Sequence, residues 1–250
     1  MMDVFYEAVY PVDSRDLDLF GHCRPSALLG HLQEAATQAA CAIGVSRDEV
    51  VERYHAFWML ARIRYALSRP LIWDEPLRIK TWHRGGRAAM MYREFDLSVN
   101  GEPVGRALSA WVLADLDTHK LFRLSDVSEF EGTTGGSLCR KDTLHKLRVP
   151  EGLTLTEERR MRYSDTDING HVNNVKYADF ACDALELERL GEGKFVSSLQ
   201  VCYLAECLAG EAVELRTGRD GPLWYAAGRG KEGRERFDAA LTLDNLGQED

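Results

Sequence analysis

The 250-residue sequence has no apolar run near the roughly 18–20 residues that a membrane-spanning helix needs. It is short of positive charge: 31 Lys and Arg stand against 40 Asp and Glu, for a net charge of −9. That balance argues against general nucleic-acid binding, which wants a basic surface. No CxxC pair occurs, and Cys23, Cys41, Cys139, Cys182, Cys202 and Cys207 form no disulfide framework of the small secreted kind. Reduced thiols in a cytoplasm are the expectation. The start, MMDVFYEAVYPVDSRD, lacks a charged n-region, an apolar h-region and a small-residue cleavage site, so no signal peptide is expected. It is acidic and Arg-poor, unlike an organelle transit peptide. His31, His55, His83, His119 and His145 lack metal-ligand spacing, and no Cys–His cluster suggests zinc. Neither metal nor cofactor is expected. The length allows one large domain or two of about 125 residues each.

What is present is a repeat. Asp16-Leu17-Asp18-Leu19-Phe20-Gly21-His22 matches Asp165-Thr166-Asp167-Ile168-Asn169-Gly170-His171 as D-x-D-x-x-G-H, at a constant offset of 149 residues. The sequel matches too. Leu28, Leu32, Ala35, Ala36, Ala39, Ala40 and Ile43 recur at helical spacing after the first copy, as do Tyr177, Phe180, Ala181, Ala184 and Leu185 after the second. Pro25 suits the start of the first helix, and Asn173 or Asn174 can cap the second.

Strands are expected after each helix: Phe57–Tyr65 and Phe195–Tyr203, then the alternating Leu77–Trp82 and Val213–Thr217. Ala88–Val99 and Val104–Ala114 flank Asn100-Gly101, a strong hairpin signal. Leu223–Arg229 and Arg234–Leu243 flank a Gly-rich turn in the second half. The reading is α+β, with two tandem units, each a long helix wrapped by an antiparallel sheet. The division expected is 1–128, a linker over 129–150, and 151–250.

This arrangement resembles the hotdog fold, and two in tandem resemble the acyl-ACP thioesterases of plant plastids and bacteria. Asp167-Ile168-Asn169-Gly170-His171-Val172-Asn173-Asn174-Val175-Lys176-Tyr177 is similar to that family's D-x-N-x-H-V-N-N-x-K-Y signature. Tyr203-Leu204-Ala205-Glu206-Cys207 resembles its second motif, which ends in Glu-Cys. Phe57–Arg62, Thr81-Trp82 and Arg106–Val112 match in the first half, so the resemblance runs from about residue 4 to 243. Gly170 stands where the family often has Gln, and Leu204 and Ala205 where it has two basic residues. The resemblance implies hydrolysis of fatty acyl–acyl carrier protein to free fatty acid, with acyl carrier protein as the partner.

Thioester hydrolysis needs an activated water or nucleophile, and donors for the oxyanion. Glu206 suits a general base, because an apolar acyl site would raise a carboxylate's pKa toward the working range. The Asn169 carboxamide can donate to the thioester oxygen. Asp167 and His171 lie two residues to either side, so an extended loop lets the three converge. The resemblance assigns Asp167, Asn169, His171 and Glu206 jointly to catalysis. The plainer reading is that Asp167 and Asn169 only cap the next helix. Cys207 is the alternative nucleophile, with His171 and Asn169 as a Cys–His–Asn set. A neighbouring carboxylate disfavours its thiolate, and a regular strand turns Glu206 and Cys207 to opposite faces.

The first copy has Phe20 in place of Asn169, and Ser68 or Arg69 is expected in place of Glu206. One site per chain is expected, with Asp18 and His22 relics or structural hydrogen-bonders. The first half is then expected to supply the acyl pocket through Trp58, Met59, Leu28 and Leu32, for which plain core packing is an equal reading. Gly228-Arg229-Gly230-Lys231-Glu232-Gly233 fits GxGxxG but joins two strands, so no dinucleotide site is expected. Arg159, Arg160 and Arg162 suit a solvated charged face or contact with an acidic carrier protein. The competing functions are an acyl-CoA thioesterase and a non-catalytic acyl-binding hotdog. A homodimer is one arrangement that the tandem chain allows.

Overall fold

The computed structural model describes residues 5–247. Its elements are β1 (Phe5–Pro11), α1 (Pro25–Ala42), α2 (Arg47–Tyr54), β2 (Ala56–Leu67), β3 (Pro76–Arg87), β4 (Met90–Val99) and β5 (Glu102–Asp115). Then come β6 (Thr154–Arg160), α3 (Lys176–Ala184), α4 (Leu187–Leu190), β7 (Lys194–Tyr203), β8 (Ala212–Asp220), β9 (Leu223–Gly230) and β10 (Glu235–Asn245). Two compact units form, and neither is one continuous stretch of chain. Of the described residues, the first holds 5–11, Gly30–Ile63 and Glu75–Leu144. The second holds Val12–Leu29, Arg64–Asp74 and 145–247.

In the first unit the strand order is β1-β3-β4-β5-β2. The β4–β5 hairpin turns at Asn100 (φ 51°) and Gly101 (φ 87°), the left-handed pair that Asn-Gly favours. On β3 and β4 one face is buried and largely aliphatic, through Leu77, Ile79, Met91, Phe95, Leu97 and Val99. Thr81, His83 and Arg93 interrupt that face. The opposite face carries Trp82 and Glu94. Part of the expected linker lies across it. Arg140 donates to Glu94 through its backbone N–H (2.9 Å) and its guanidinium (3.2 Å). Gly135 sits on the indole of Trp82, where a Cβ would come within 2.2 Å of Cδ1. Leu144 packs with Leu108 and Ala110.

In the second unit the order is β7-β10-β9-β8-β6, and α3 packs on β8, β9 and β10. Tyr177 of α3 meets Phe180, Tyr203 and Phe237 at ring-centroid distances of 5.8, 5.5 and 5.1 Å. Such edge-on aromatic contacts tie the helix to the sheet. The GxGxxG segment is the β9–β10 connection. Gly228 is there for Phe237, whose Cε1 a Cβ would approach to 2.3 Å. The second helix is shorter than the first, 9 residues against 18, because Glu186 takes a left-handed conformation (φ 53°) just past it. Asn173 assists its entry by accepting from the Val175 N–H at 3.2 Å.

Candidate active site

The second D-x-D-x-x-G-H copy folds into a small closed loop. Asp167 N–H donates to His171 O (2.9 Å), and Gly170 N–H donates to Asp167 O (3.1 Å). The carboxylate of Asp167 accepts from Asn169 N–H at 2.8 Å. Gly170 has φ 80°, a turn conformation that a side chain would strain. The loop is pinned to the segment after β7. Val172 N–H donates to Cys207 O (2.9 Å), and His171 bridges Leu208.

That pinning sets the side chains. His171 Nε2 lies 3.3 Å from Glu206 Oε2, with the two side chains 34% and 40% exposed. The expected apolar enclosure of Glu206 is therefore not formed. Cys207 points the other way and is fully buried. Burial raises its thiol pKa, against a smaller lowering from a hydrogen bond with Tyr177. Asn169 is exposed at the loop tip, beside Ile168.

Arg236 went unnoticed in the sequence. Its guanidinium donates to Glu206 O at 2.8 Å, and its own carbonyl accepts from Leu204 N–H (2.9 Å) and Ala205 N–H (3.1 Å). The guanidinium also pairs with Glu211 (3.1 Å) and Glu232 (2.7 Å). It thus clamps the segment that carries Glu206. Nothing in the residue spacing marks it, because it arrives through β10–β7 pairing.

The first copy repeats the backbone bonds of this scaffold. Asp18 N–H donates to His22 O (2.8 Å), Gly21 has φ 80°, and Cys23 N–H donates to Leu71 O (2.7 Å). His22 bridges Ile72 as His171 bridges Leu208. The residue before Leu71 is Pro70, so Pro70 stands where Glu206 stands. That corrects the expected Ser68 or Arg69. The Phe20 ring packs over Gly191, where a Cβ would lie 2.6 Å from Cε2. The Asp18 carboxylate accepts from Phe20 N–H (2.9 Å) and His22 N–H (3.0 Å).

The four expected pocket residues are placed as follows. Leu28 and Leu32 are fully buried in the core, and Met59 is half-buried. The Trp58 indole N–H donates to Val45 O at 2.9 Å, and its ring packs against a core cluster that includes Val50, Met91 and Phe130. Among the described residues no group of three or more His, Cys, Asp or Glu is arranged to hold a metal ion. No described helix is long and apolar enough to cross a membrane.

Two family descriptions match the chain: the acyl-ACP thioesterase N-terminal domain over residues 3–129 and the C-terminal domain over 152–249. The chain is 25% identical over 245 residues to an oleoyl-acyl carrier protein thioesterase of Arabidopsis thaliana, covering 87% of this chain and 66% of that protein. It is 28% identical over 212 residues to a palmitoyl-acyl carrier protein thioesterase of Cuphea hookeriana, covering 77% and 49%. It therefore spans about half to two thirds of the length of these relatives. The fold is shared with the 12:0-ACP thioesterase of Umbellularia californica (19% identity, 98% and 99% of the chains, TM-score 0.82). It is shared equally with an acyl-ACP thioesterase of Bacteroides thetaiotaomicron (20% identity, 97% and 98%, TM-score 0.80). The hotdog expectation is met, and on the two matching domains the chain belongs to the acyl-ACP thioesterase family.

Proposed function

We propose that this chain hydrolyses the thioester of fatty acyl–acyl carrier protein, releasing free fatty acid and the carrier's thiol, at one site per chain. The observation that carries the reading is the His171–Glu206 pair, 3.3 Å apart on a loop pinned by backbone bonds. Glu206 takes a proton from water as the oxygen attacks the thioester carbon. The Asn169 carboxamide donates to the oxyanion. Collapse breaks the C–S bond, and the proton passes to the departing sulfur. His171 fixes the carboxylate, and Asp167 holds the turn that presents Asn169. General-base assistance of this kind is worth about 10²–10⁴ in rate, and one oxyanion donor about 10²–10³.

In this reading the first half of the chain, 1–128, supplies the acyl pocket, with Trp58, Met59 and Leu32 of the first unit as its candidates. Residues 129–150 link it to the half that carries the chemistry. Exposed Arg160 and Arg162 suit the acidic carrier protein better than Arg159. Arg159 already pairs with Asp183 at 2.8 Å and lies over the Phe180 ring at 4.3 Å. Reduced cysteines fit a cytoplasmic protein. The deciding experiment is turnover on a panel of acyl carrier protein and CoA thioesters of matched chains. Higher kcat/KM on the carrier-protein series is expected. Preference for CoA would favour an acyl-CoA thioesterase, and no turnover on either a non-catalytic acyl binder.

A further inference from the structure

Glu206 lies between two tethers on consecutive carbonyls. Its own carbonyl accepts from Arg236 Nη1 at 2.8 Å, and the next one, Cys207 O, accepts from Val172 N–H at 2.9 Å. The Arg236 carbonyl also fixes the approach, through Leu204 N–H (2.9 Å) and Ala205 N–H (3.1 Å). Without the Arg236 side chain, the peptide after Glu206 keeps one tether and can rotate. The carboxylate then leaves its place 3.3 Å from His171.

The guanidinium is itself held in place. Its Nη2 lies 2.7 Å from Glu232 Oε1 and 3.1 Å from Glu211 Oε2, and the side chain is 11% exposed. The planar fork suits this task, since one nitrogen serves the backbone while the other serves the carboxylates. Glu211 belongs to the far end of the same loop. Glu232 comes from the Gly-rich β9–β10 turn, the segment that fits GxGxxG. There the Glu232 carboxylate lies against Gly230, where a Cβ would stand 2.6 Å from Oε2 and 2.7 Å from Oε1. Gly230 is not among the glycines with positive φ, so what it supplies is space, not a special turn conformation. The turn thus reaches the site through a chain of contacts: Gly230, Glu232, Arg236, Glu206.

We propose that Arg236 is a positioning residue for Glu206, and that the β9–β10 turn holds it in place through Glu232. Arg236 acts through the Glu206 backbone and not on the substrate. This role rests on the reading of Glu206 as the base of thioester hydrolysis.

The test is steady-state kinetics of the full chain on one acyl–acyl carrier protein, well below the melting temperature of every variant. Arg236→Gln should lower kcat by about 10- to 100-fold, because a displacement near 1 Å at reacting groups costs up to about 10²-fold. KM should stay within a few-fold. Arg236→Lys keeps the charge and a donor but loses the fork, and should recover part of the loss. Glu232→Gln removes a half-exposed charge, and Gly230→Ala displaces only the end of the Glu232 side chain. Each should lower kcat by about two- to five-fold with a nearly unchanged melting temperature. They carry the test if Arg236→Gln does not fold. The decisive comparison is made in a Glu206→Ala background. There Arg236→Gln and Glu232→Gln should cost nothing further, since both act only through that carboxylate. A loss that repeats in full on top of Glu206→Ala, or a raised KM with kcat intact, overturns the assignment. So does wild-type kcat in folded Arg236→Gln, or in both turn variants, beside an inactive Glu206→Ala. Wild-type kcat in Glu206→Ala itself would instead overturn the reading of Glu206 as base, and this role with it.

Discussion

Pro70 occupies in the first loop scaffold the place that Glu206 occupies in the second. Leu71 O takes the Cys23 N–H at 2.7 Å just as Cys207 O takes the Val172 N–H at 2.9 Å, and each is preceded by the residue in question. A proline ring can neither accept a proton from water nor fix an imidazole. The same position in the chain geometry therefore carries a carboxylate in one copy and a proline ring in the other. With Phe20 in place of Asn169, the first copy keeps the backbone of the site and none of its proton chemistry.

The first prediction follows from that asymmetry. Asp18→Ala and His22→Ala leave kcat within a few-fold of wild type, while Asp167→Ala lowers it strongly. Asp18 still holds its loop through two backbone N–H groups, so its loss costs about 1–2 kcal/mol of stability. Steady-state kinetics at a temperature well below the transition, with melting followed by circular dichroism, separate the two effects. A fall in kcat at Asp18 as deep as at Asp167 would mean two working sites.

The second concerns the Glu-Cys pair. Glu206→Ala is expected to reduce kcat by about 10²–10⁴, and Cys207→Ser to keep most of it. Cys207 is sealed in the core with a raised thiol pKa, while Glu206 is within reach of solvent and of His171. Folding of both variants is checked first, because a buried sulfur also fills space. A folded but inactive Cys207→Ser protein, with an acyl-enzyme trapped on the wild type, would replace water activation by a Cys–His–Asn mechanism.

The third tests the glycine motif. Gly228→Ala places a methyl 2.3 Å from Phe237 Cε1, and the Phe237 ring is itself locked against Tyr177. Overpacking of this kind costs about 1–3 kcal/mol. The melting temperature should drop by several degrees, with little change in KM for substrate. An unchanged melting temperature would mean that the ring can move, and that Gly228 is not there for packing.

The repeat, the hotdog units and the Glu206–Cys207 alternation were legible because they follow from local pattern. The place of Pro70 was not. His22 reaches Ile72 across 50 residues, but His171 reaches Leu208 across 37, so a constant offset misplaces the second motif's counterpart. The longer α1 and the extra helix α2 lie in that interval. The Ser46–Glu49 capping box marked α2, with Glu49 N–H donating to Ser46 Oγ at 3.4 Å, and it went unread. Arg93 was legible in principle. Met91, Arg93, Phe95, Leu97 and Val99 alternate along one face, and a cation in that row is out of place. Arg236 was not, since only strand pairing brings it to Glu206.

The last prediction is a pH dependence set by His83. In the unfolded chain its imidazole takes a proton near pH 6.5, but in the folded protein only near pH 4, because burial and then Arg93 oppose the charge. Between these values the unfolded state binds more protons, so stability rises with pH across the window and falls as pH drops from about 6.5 to about 4. The full effect is of order 3 kcal/mol. Other groups titrate in acid as well, Glu129 among them, with its carboxyl held down to about 2 by Tyr54. The measurement is therefore the difference between wild type and His83→Phe. Urea unfolding at half-unit steps from pH 7.5 to 4, in carboxylate-free buffers, should show wild type losing ground to the variant as pH falls. The gap should open through pH 6 and 5. A difference that stays flat across that range would mean that His83 takes a proton as readily in the folded state as in the unfolded one.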